Sequence, residues 1–436
     1  MSTLALLSVI VTAAALFGWL SVRVLRLPIT IGTMLLTVAS SVSLMALSHI
    51  VPALHRWCAG LVTRIRFGDL VLHGMLSLLL FAGSFLLDLV DLAREKLMVG
   101  LLAVFGTVLS MLAVAAAMHA GLSLLGFQAA WIDCLFFGAL IAPTDPVAVL
   151  EMLQRVGVSR PIRAQLAGES LFNDGIGAVL FLAVLEASHG QAPSLRRIGL
   201  LLVLKSGGGL LLGIALAWAA SQFMRRVPAY QIDILLSLAL ALAGYALAES
   251  LRLSGPLEAV AAGLALRHFS RGISPSAIPE PAIPNPAIPD PAIPHESIAH
   301  ESIDRFWTVI DEIQNSILFV LLGAEILAIP FPPRTFAPGA LAIVAVGAVR
   351  LAVVALAVGA VRLVRPGHQS SIITLGWGGL RGGLSIALAL SVPSAASRPW
   401  ILTTTYLVVV FSIVIQGGTF DLFLQRTGAG KCHSLA

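Results

Sequence analysis

Charge is scarce in this sequence. Of 436 residues, 27 are Lys or Arg and 22 are Asp or Glu, together 11%, against about 25% in typical soluble globular chains. So few charges cannot clothe the surface of a water-soluble protein of this size, and a soluble fold is excluded. Cysteine is equally sparse. Cys58, Cys134 and Cys432 are odd in number and far apart, which excludes a disulfide framework and the spacing of a structural zinc site. The ten histidines form no His-Glu-x-x-His pattern, so no resident metal centre is expected. A Gly-x-x-x-x-Gly-Lys-Ser/Thr loop is absent as well, which argues against a nucleotide-driven pump and leaves no cofactor to expect. The net charge is +5, yet the basic residues form no cluster interleaved with aromatics, so nucleic acid is not expected as a partner.

What the chain has in abundance is apolar sequence, at 58% of its residues. A helix crosses a bilayer with about 20 such residues. Stretches of that kind lie near 3–22, 29–48, 69–90, 97–119, 131–154, 161–186, 198–220, 229–249, 254–267, 304–328, 339–361, 370–393 and 400–424. The fold class that follows is an all-α polytopic membrane protein of about thirteen transmembrane helices. Twelve is the alternative, because the ninth stretch is short and the fifth contains two prolines. The first stretch has no basic segment before it and is read as a retained span, not a signal peptide.

Orientation follows from Lys and Arg in the loops. With the N-terminus outside, sixteen basic residues, among them Arg94, Lys96, Arg163, Arg225, Arg362 and Arg365, fall on the cytoplasmic side; eight, among them Arg56, Arg252 and Arg398, fall outside. Lys205, Arg350 and Arg381 fall inside spans. The segment after the ninth span repeats Ala-Ile-Pro-x-Pro, with Glu280, Asn285, Asp290 and His295 at or following the variable place. Its prolines favour an extended polyproline II spacer on the cytoplasmic side.

Three acids lie where a bilayer makes them costly. Span five contains Ala142-Pro143-Thr144-Asp145-Pro146. Neither Pro143 nor Pro146 donates a backbone hydrogen bond, so the helix is expected to open at Thr144 and Asp145 and to free carbonyls there. Broken helices of this kind mark ion or substrate sites in transporters. Span six contains Gly168-Glu169-Ser170-Leu171-Phe172-Asn173-Asp174-Gly175, where i,i+4 spacing stacks Glu169 over Asn173 and Ser170 over Asp174. Each mid-membrane carboxylate costs about 2.5 to 3.5 kcal/mol on insertion scales, and three cost on the order of 9 kcal/mol. A structural cluster would need hydrogen bonds but not three acids.

Arg350 in span eleven and Arg381 in span twelve are the buried cations able to offset them, and at least one Glu–Arg pair is expected. Arg381 sits within Gly376-Trp377-Gly378-Gly379-Leu380-Arg381-Gly382-Gly383. The glycines point to a second opened or closely packed helix. Interruptions in spans five and twelve fit inverted repeats. Glu258 and Glu325 also lie deep in spans, without an assignable role.

In this order, the three motifs resemble those of the monovalent cation/proton antiporters of the sodium/proton exchanger family, in its prokaryotic, NhaP-like branch. Weaker echoes are Leu79-Leu80-Phe81-Ala82-Gly83, Ser254-Gly255-Pro256-Leu257 and Phe411-Ser412-Ile413-Val414-Ile415-Gln416-Gly417. The resemblance implies thirteen spans, a homodimer in the cell membrane, bacterial inner membrane by analogy, and a moving core. That core comprises 97–190, with the cation site, and 331–425. Residues 1–96 and 191–270 supply linker and dimerisation parts, 271–302 the proline-rich linker, 303–330 span ten and 426–436 a short tail. By matching position Asp174 is implied as the cation- and proton-binding carboxylate, with Asn173 beside it. Thr144, Asp145 and Ser170 resemble the groups around the ion, Glu169 the partner of Arg350, and Arg381 a second core arginine. Asn before the Asp implies electroneutral exchange.

Chemically, a hard monovalent cation and a proton can compete for one carboxylate, with hydroxyls and freed carbonyls completing the cation's oxygen shell. The expected function is therefore exchange of Na+, with Li+ as a further ion, for H+. K+/H+ exchange is the near alternative. An intramembrane hydrolase using Ser170, or Asp145 with Asp174, lacks the base such chemistry requires, and a channel would show no coupling to protons.

Overall fold

The computed structural model describes residues 3–27, 29–50, 67–145, 158–188, 195–227, 229–271, 295–329, 332–368, 370–393 and 398–420. Pro146 and the rest of the fifth expected span, most of the proline-rich linker, Cys58, Cys432 and the C-terminal tail lie outside them.

Besides the single turn Phe67–Asp69, fifteen α-helices organise these residues. They are α1 (Thr3–Leu20), α2 (Ile29–Ile50), α3 (Leu76–Phe85), α4 (Leu89–Gly100), α5 (Thr107–Leu124), α6 (Trp131–Ile141), α7 (Arg160–Ser188), α8 (Leu195–Met224), α9 (Tyr230–Ser250), α10 (Gly255–Arg271), α11 (His295–Glu325), α12 (Phe336–Val364), α13 (Ile372–Trp377), α14 (Gly383–Leu390) and α15 (Arg398–Phe411). A π turn, Leu101–Gly106, joins α4 to α5, and another, Ser412–Gly417, extends α15. Among the described residues no strand is present, only an isolated antiparallel bridge between Asp145 and Leu380. The protein is thus an all-helical polytopic membrane protein.

Each of the thirteen apolar stretches carries helix. Among the described residues eight helices, including Leu89–Leu124, Arg160–Ser188 and Pro333–Val364, are individually long and apolar enough to cross a bilayer. The shorter ones have local causes. Helix α6 stops after Ile141 because Pro143 follows, and the stretch 370–393 divides into α13 and α14 at the Gly378–Gly382 segment. At the end of α5, Gly126 takes φ +77°, and Phe127 N–H reaches back to the Leu122 carbonyl at 2.9 Å, closing the helix as a left-handed cap does.

The chain forms two compact units. The larger comprises Met1–Leu76, Val90–Leu202 and Ile313–Ala436. Its centre is a hydrophobic cluster that includes Met98, Leu102, Leu166, Val354, Val358, Leu375 and Leu380, drawing α4, α7, α12 and α13 together. Helix α6 packs between α5 and α7. The approach of α7 to the break after α6 is close enough that a Cβ on Gly177 would collide with the Pro143 ring.

The smaller unit comprises Ser77–Leu89 and Val203–Glu312. Trp307 lies at 4.6 Å from the Phe81 ring and donates its indole N–H to Ser237 Oγ at 3.1 Å. Arg267 pairs with Asp304 and lies over the Phe85 ring at 5.3 Å. Glu258 is fully buried against Gly244, and neither of its carboxyl oxygens has a hydrogen-bond partner among the described residues.

Candidate functional site

The site grows out of the end of α6 and the break between α13 and α14. After Ile141 the chain runs through Ala142 and Pro143 in a non-helical path to Asp145. The Asp145 N–H donates to the Leu380 carbonyl at 2.7 Å. Leu380 lies in the extended segment between α13 and α14, so the two openings cross at this bond. Gly382, with an extended backbone, precedes α14, and its Cα abuts the Asp145 carboxylate so closely that any Cβ would overlap it.

An opened helix in a low-dielectric interior must satisfy the carbonyls it exposes. Here Arg381 does so. One guanidinium nitrogen donates to the Ala142 carbonyl at 2.6 Å and to that of Pro143 at 2.7 Å. The carbonyl of Ala142, expected to be free for an ion, is therefore taken by a fixed cation. The Thr144 carbonyl accepts from the Ser170 hydroxyl.

Helix α7 supplies the rest. Asn173 closes a two-point contact with Thr144: its carbonyl oxygen accepts from the Thr144 N–H at 3.3 Å and its amide donates to Thr144 Oγ1 at 2.8 Å. Thr144, Ser170 and Asn173 are all buried. Four residues before Asn173, Glu169 is 1% exposed and receives both guanidinium nitrogens of Arg350, which is 6% exposed. Arg350 also donates to the Leu375 carbonyl at 2.8 Å, and its planar group rests on Gly379. Bidentate pairing takes both Glu169 oxygens, so Glu169 is not among the groups ready to ligate an ion.

Asp174 differs from its neighbours. It is partly exposed, and among the described residues its carboxylate makes no hydrogen bond or ion pair. Asp145 and Arg381 act on it electrostatically. The charge inventory is then three acids, Asp145, Glu169 and Asp174, against two arginines, Arg350 and Arg381. Counted as ionised, the acids outnumber the arginines by one, and Asp174 is the acid whose carboxylate is unpaired among the described residues. No cluster of His, Cys, Asp and Glu suited to a metal ion occurs among the described residues.

The structure thus brings Thr144, Asp145, Glu169, Ser170, Asn173, Asp174, Arg350, Arg381 and Pro143 into one region; Pro146 is outside the described residues. Sequence reasoning missed several participants. In the sequence Gly382 is one glycine among many, and Ser412, whose Oγ accepts the Arg381 N–H at 3.0 Å, belongs only to a weak motif. A second polar cluster also escaped it. One turn before Glu169, the Gln165 amide donates to Glu95 Oε2 at 2.7 Å, and His368 Nε2 lies at 3.1 Å from the same oxygen. These three residues are too far apart in sequence to suggest one another.

Comparison with known proteins bears on the whole chain. The family described as sodium/hydrogen exchanger, transmembrane, matches residues 10–426. The Na(+)/H(+) antiporter NhaP of Pseudomonas aeruginosa is 35% identical, covering 98% of this chain and 97% of its own. The Na(+)/H(+) antiporter NhaH of Halobacillus aidingensis is 30% identical over 77% of each chain. In three dimensions the chain is similar to the sodium proton antiporter MjNhaP1 from Methanocaldococcus jannaschii at pH 8, with a TM-score of 0.69, 18% identity and coverage of 98% of this chain and 99% of the other.

Proposed function

The chain belongs to the sodium/hydrogen exchanger family, and from that premise we propose that it exchanges Na+ for H+ across the cell membrane, with both ions taking turns on Asp174. The observation that carries this reading is the contrast within one helix. Glu169, Ser170 and Asn173 are all engaged by neighbours, while the Asp174 carboxylate has no hydrogen-bond partner among the described residues and can accept a passenger.

The coupling follows from charge. With Asp174 empty the site is one charge short, and a net negative charge in the membrane interior costs about 2.5 to 3.5 kcal/mol. Loaded with Na+ or with H+ it is neutral. Neutral forms change their exposure from one side to the other more readily than the charged, empty one, so an outward cation is matched by an inward proton. One charge replaces one charge, and exchange is electroneutral. Asn173, standing where a second acid would add another charge, keeps that count.

The remaining assignments are made on the same footing. Thr144, Ser170 and Asp145 line the approach of the ion; the hydroxyl oxygens keep lone pairs for a cation even while hydrogen-bonded. Pro143 ends α6 and holds the following segment open; Pro146 is assigned to the same break from the sequence alone. Glu169 with Arg350, and Arg381 on the Ala142 and Pro143 carbonyls, balance fixed charge. The core spans in 97–190 and 331–425 carry the site between its two exposures, in a homodimer with the N-terminus outside and the C-terminus cytoplasmic.

The test is a pH gradient across proteoliposomes containing the purified protein and an internal pH dye. Addition of NaCl is expected to collapse the gradient at a rate unaffected by clamping the membrane potential. Choline chloride is expected to leave it intact. Collapse by choline, or Na+ flux without proton flux, would overturn the reading.

A further inference from the structure

The crossing of the opened helices hangs on a single peptide group. The Leu380 carbonyl accepts from Asp145 N–H at 2.7 Å on one side, and the Arg381 N–H of that same peptide donates to Ser412 Oγ at 3.0 Å on the other. The chain of bonds runs from Asp145 through the 380–381 peptide to Ser412. Linked hydrogen bonds polarise one another in a low-dielectric interior, and loss of one end weakens the other.

Three Ser and Thr hydroxyls in this part of the chain serve their own helix. Thr403 donates to the Pro399 carbonyl, Thr405 to that of Ile401 and Ser391 to that of Ala387, the back-bonding usual for Ser and Thr in helices. Ser412 instead accepts a hydrogen bond from another segment. The Arg381 N–H needs it, because a residue between α13 and α14 has no intrahelical carbonyl one turn back, and an unpaired N–H inside a membrane protein is costly. Ser412 is 1% exposed, so water does not replace it. It is also the first residue of the π turn Ser412–Gly417, a local widening of the kind often found at functional sites. Arg381, fixed by this bond at its backbone, places its guanidinium on Ala142 and Pro143. Both strands of the crossing therefore take their position from the same peptide plane.

We propose that Ser412 is a positioning residue for the cation site, acting through the Leu380–Arg381 peptide on Asp145 and Arg381. The inference rests on the antiport reading for its transport consequences and on geometry alone for the bond itself. Its substance is an acceptor oxygen at position 412, not a side chain of a certain volume.

Three variants separate these. Ser412→Ala removes the acceptor. Ser412→Cys keeps the volume with a weak acceptor, and Ser412→Thr keeps the oxygen. In proteoliposomes, Ser412→Ala and Ser412→Cys are expected to raise the Na+ concentration for half-maximal exchange by about three- to tenfold, as loss of one net hydrogen bond implies, with maximal rates within about twofold of the parent. Ser412→Thr is expected to stay near the parent. Hydrogen–deuterium exchange of the 378–382 segment in nanodiscs, read on the same proteins, is expected to be at least about tenfold faster for Ala and Cys than for Ser and Thr. Unchanged half-saturation in Ser412→Ala alongside active parent protein, or a Cys variant like the parent beside an impaired Thr variant, would overturn the proposal. Should the parent itself show no cation-dependent exchange, the functional reading falls, and the amide measurement alone decides: equal exchange in all four proteins would end the positioning role.

Discussion

Asp145 is bound to Leu380 through a backbone hydrogen bond of 2.7 Å, N–H to carbonyl, which joins the segment after α6 to the break between α13 and α14. A backbone bond at membrane depth outside any helix is tolerated only where protein surrounds it. The opened segments expose their polar atoms to each other, and to Arg381 and Ser412, in place of lipid. The site's geometry is the consequence of that mutual satisfaction.

Gly382 tests the crossing directly. Its Cα meets the Asp145 carboxylate, so Gly382→Ala is expected to force the two segments apart and to lower the exchange rate by about tenfold or more, consistent with displacement of a site by about 1 Å. Gly347, in the middle of α12 with open space around it, provides the comparison. Gly347→Ala is expected to leave transport unchanged and to hold or slightly raise the thermal midpoint in detergent.

The Glu169–Arg350 pair is a matched burial. Removing either partner strands the other charge, at a cost of about 3 to 5 kcal/mol. Glu169→Gln and Arg350→Met are each expected to lower the detergent thermal midpoint by several degrees. The double variant is expected to regain more than half of the loss of the worse single variant. Additive losses in the double-mutant cycle would mean that the two side chains do not depend on each other.

Arg381 holds two carbonyls at once, which a guanidinium does and a compact ammonium does less well. Arg381→Lys is expected to retain slow exchange, and Arg381→Met to lose it by more than about tenfold, since the Ala142 and Pro143 carbonyls lose their donor. Initial rates of Na+-dependent pH collapse give the comparison. Equal rates in both variants would assign the effect to charge or to shape alone.

Much of this site was legible in the sequence because membranes penalise particular residues so heavily. Pro143 points to the end of α6 at Ile141, and three acids among apolar residues point to a candidate site and to Arg350 and Arg381 as the cations beside it. What was not legible depends on which turn of one helix faces which turn of another. The Asp145–Leu380 bridge, the service of Arg381 to the Ala142 and Pro143 carbonyls and the acceptor role of Ser412 join segments far apart in the chain. Local spacing carries no information about such meetings. The same holds for Glu95, Gln165 and His368. Helix positions were readable from the apolar stretches, but the π turns at Leu101 and Ser412 have no hydropathy signature.

Proton and cation competition sets a sign for pH dependence. In the proposed exchange a proton on Asp174 fills the site, so the Na+ concentration for half-maximal exchange is expected to rise as pH falls, approaching about tenfold per pH unit under acid conditions, and to level off as pH rises. Maximal rates reached at saturating Na+ then vary less with pH than half-saturation does. A half-saturation independent of pH would place proton and cation on separate groups.

The most direct measurement replaces one oxygen of the passenger's carboxylate. Asp174→Asn, purified as a monodisperse protein with a thermal midpoint near that of the parent, is reconstituted and assayed for Na+-driven collapse of a pH gradient and for uptake of radioactive Na+. The expected result is loss of both to the level of protein-free vesicles, because the neutral amide holds neither ion. Parent-like exchange by Asp174→Asn would contradict the account at its centre.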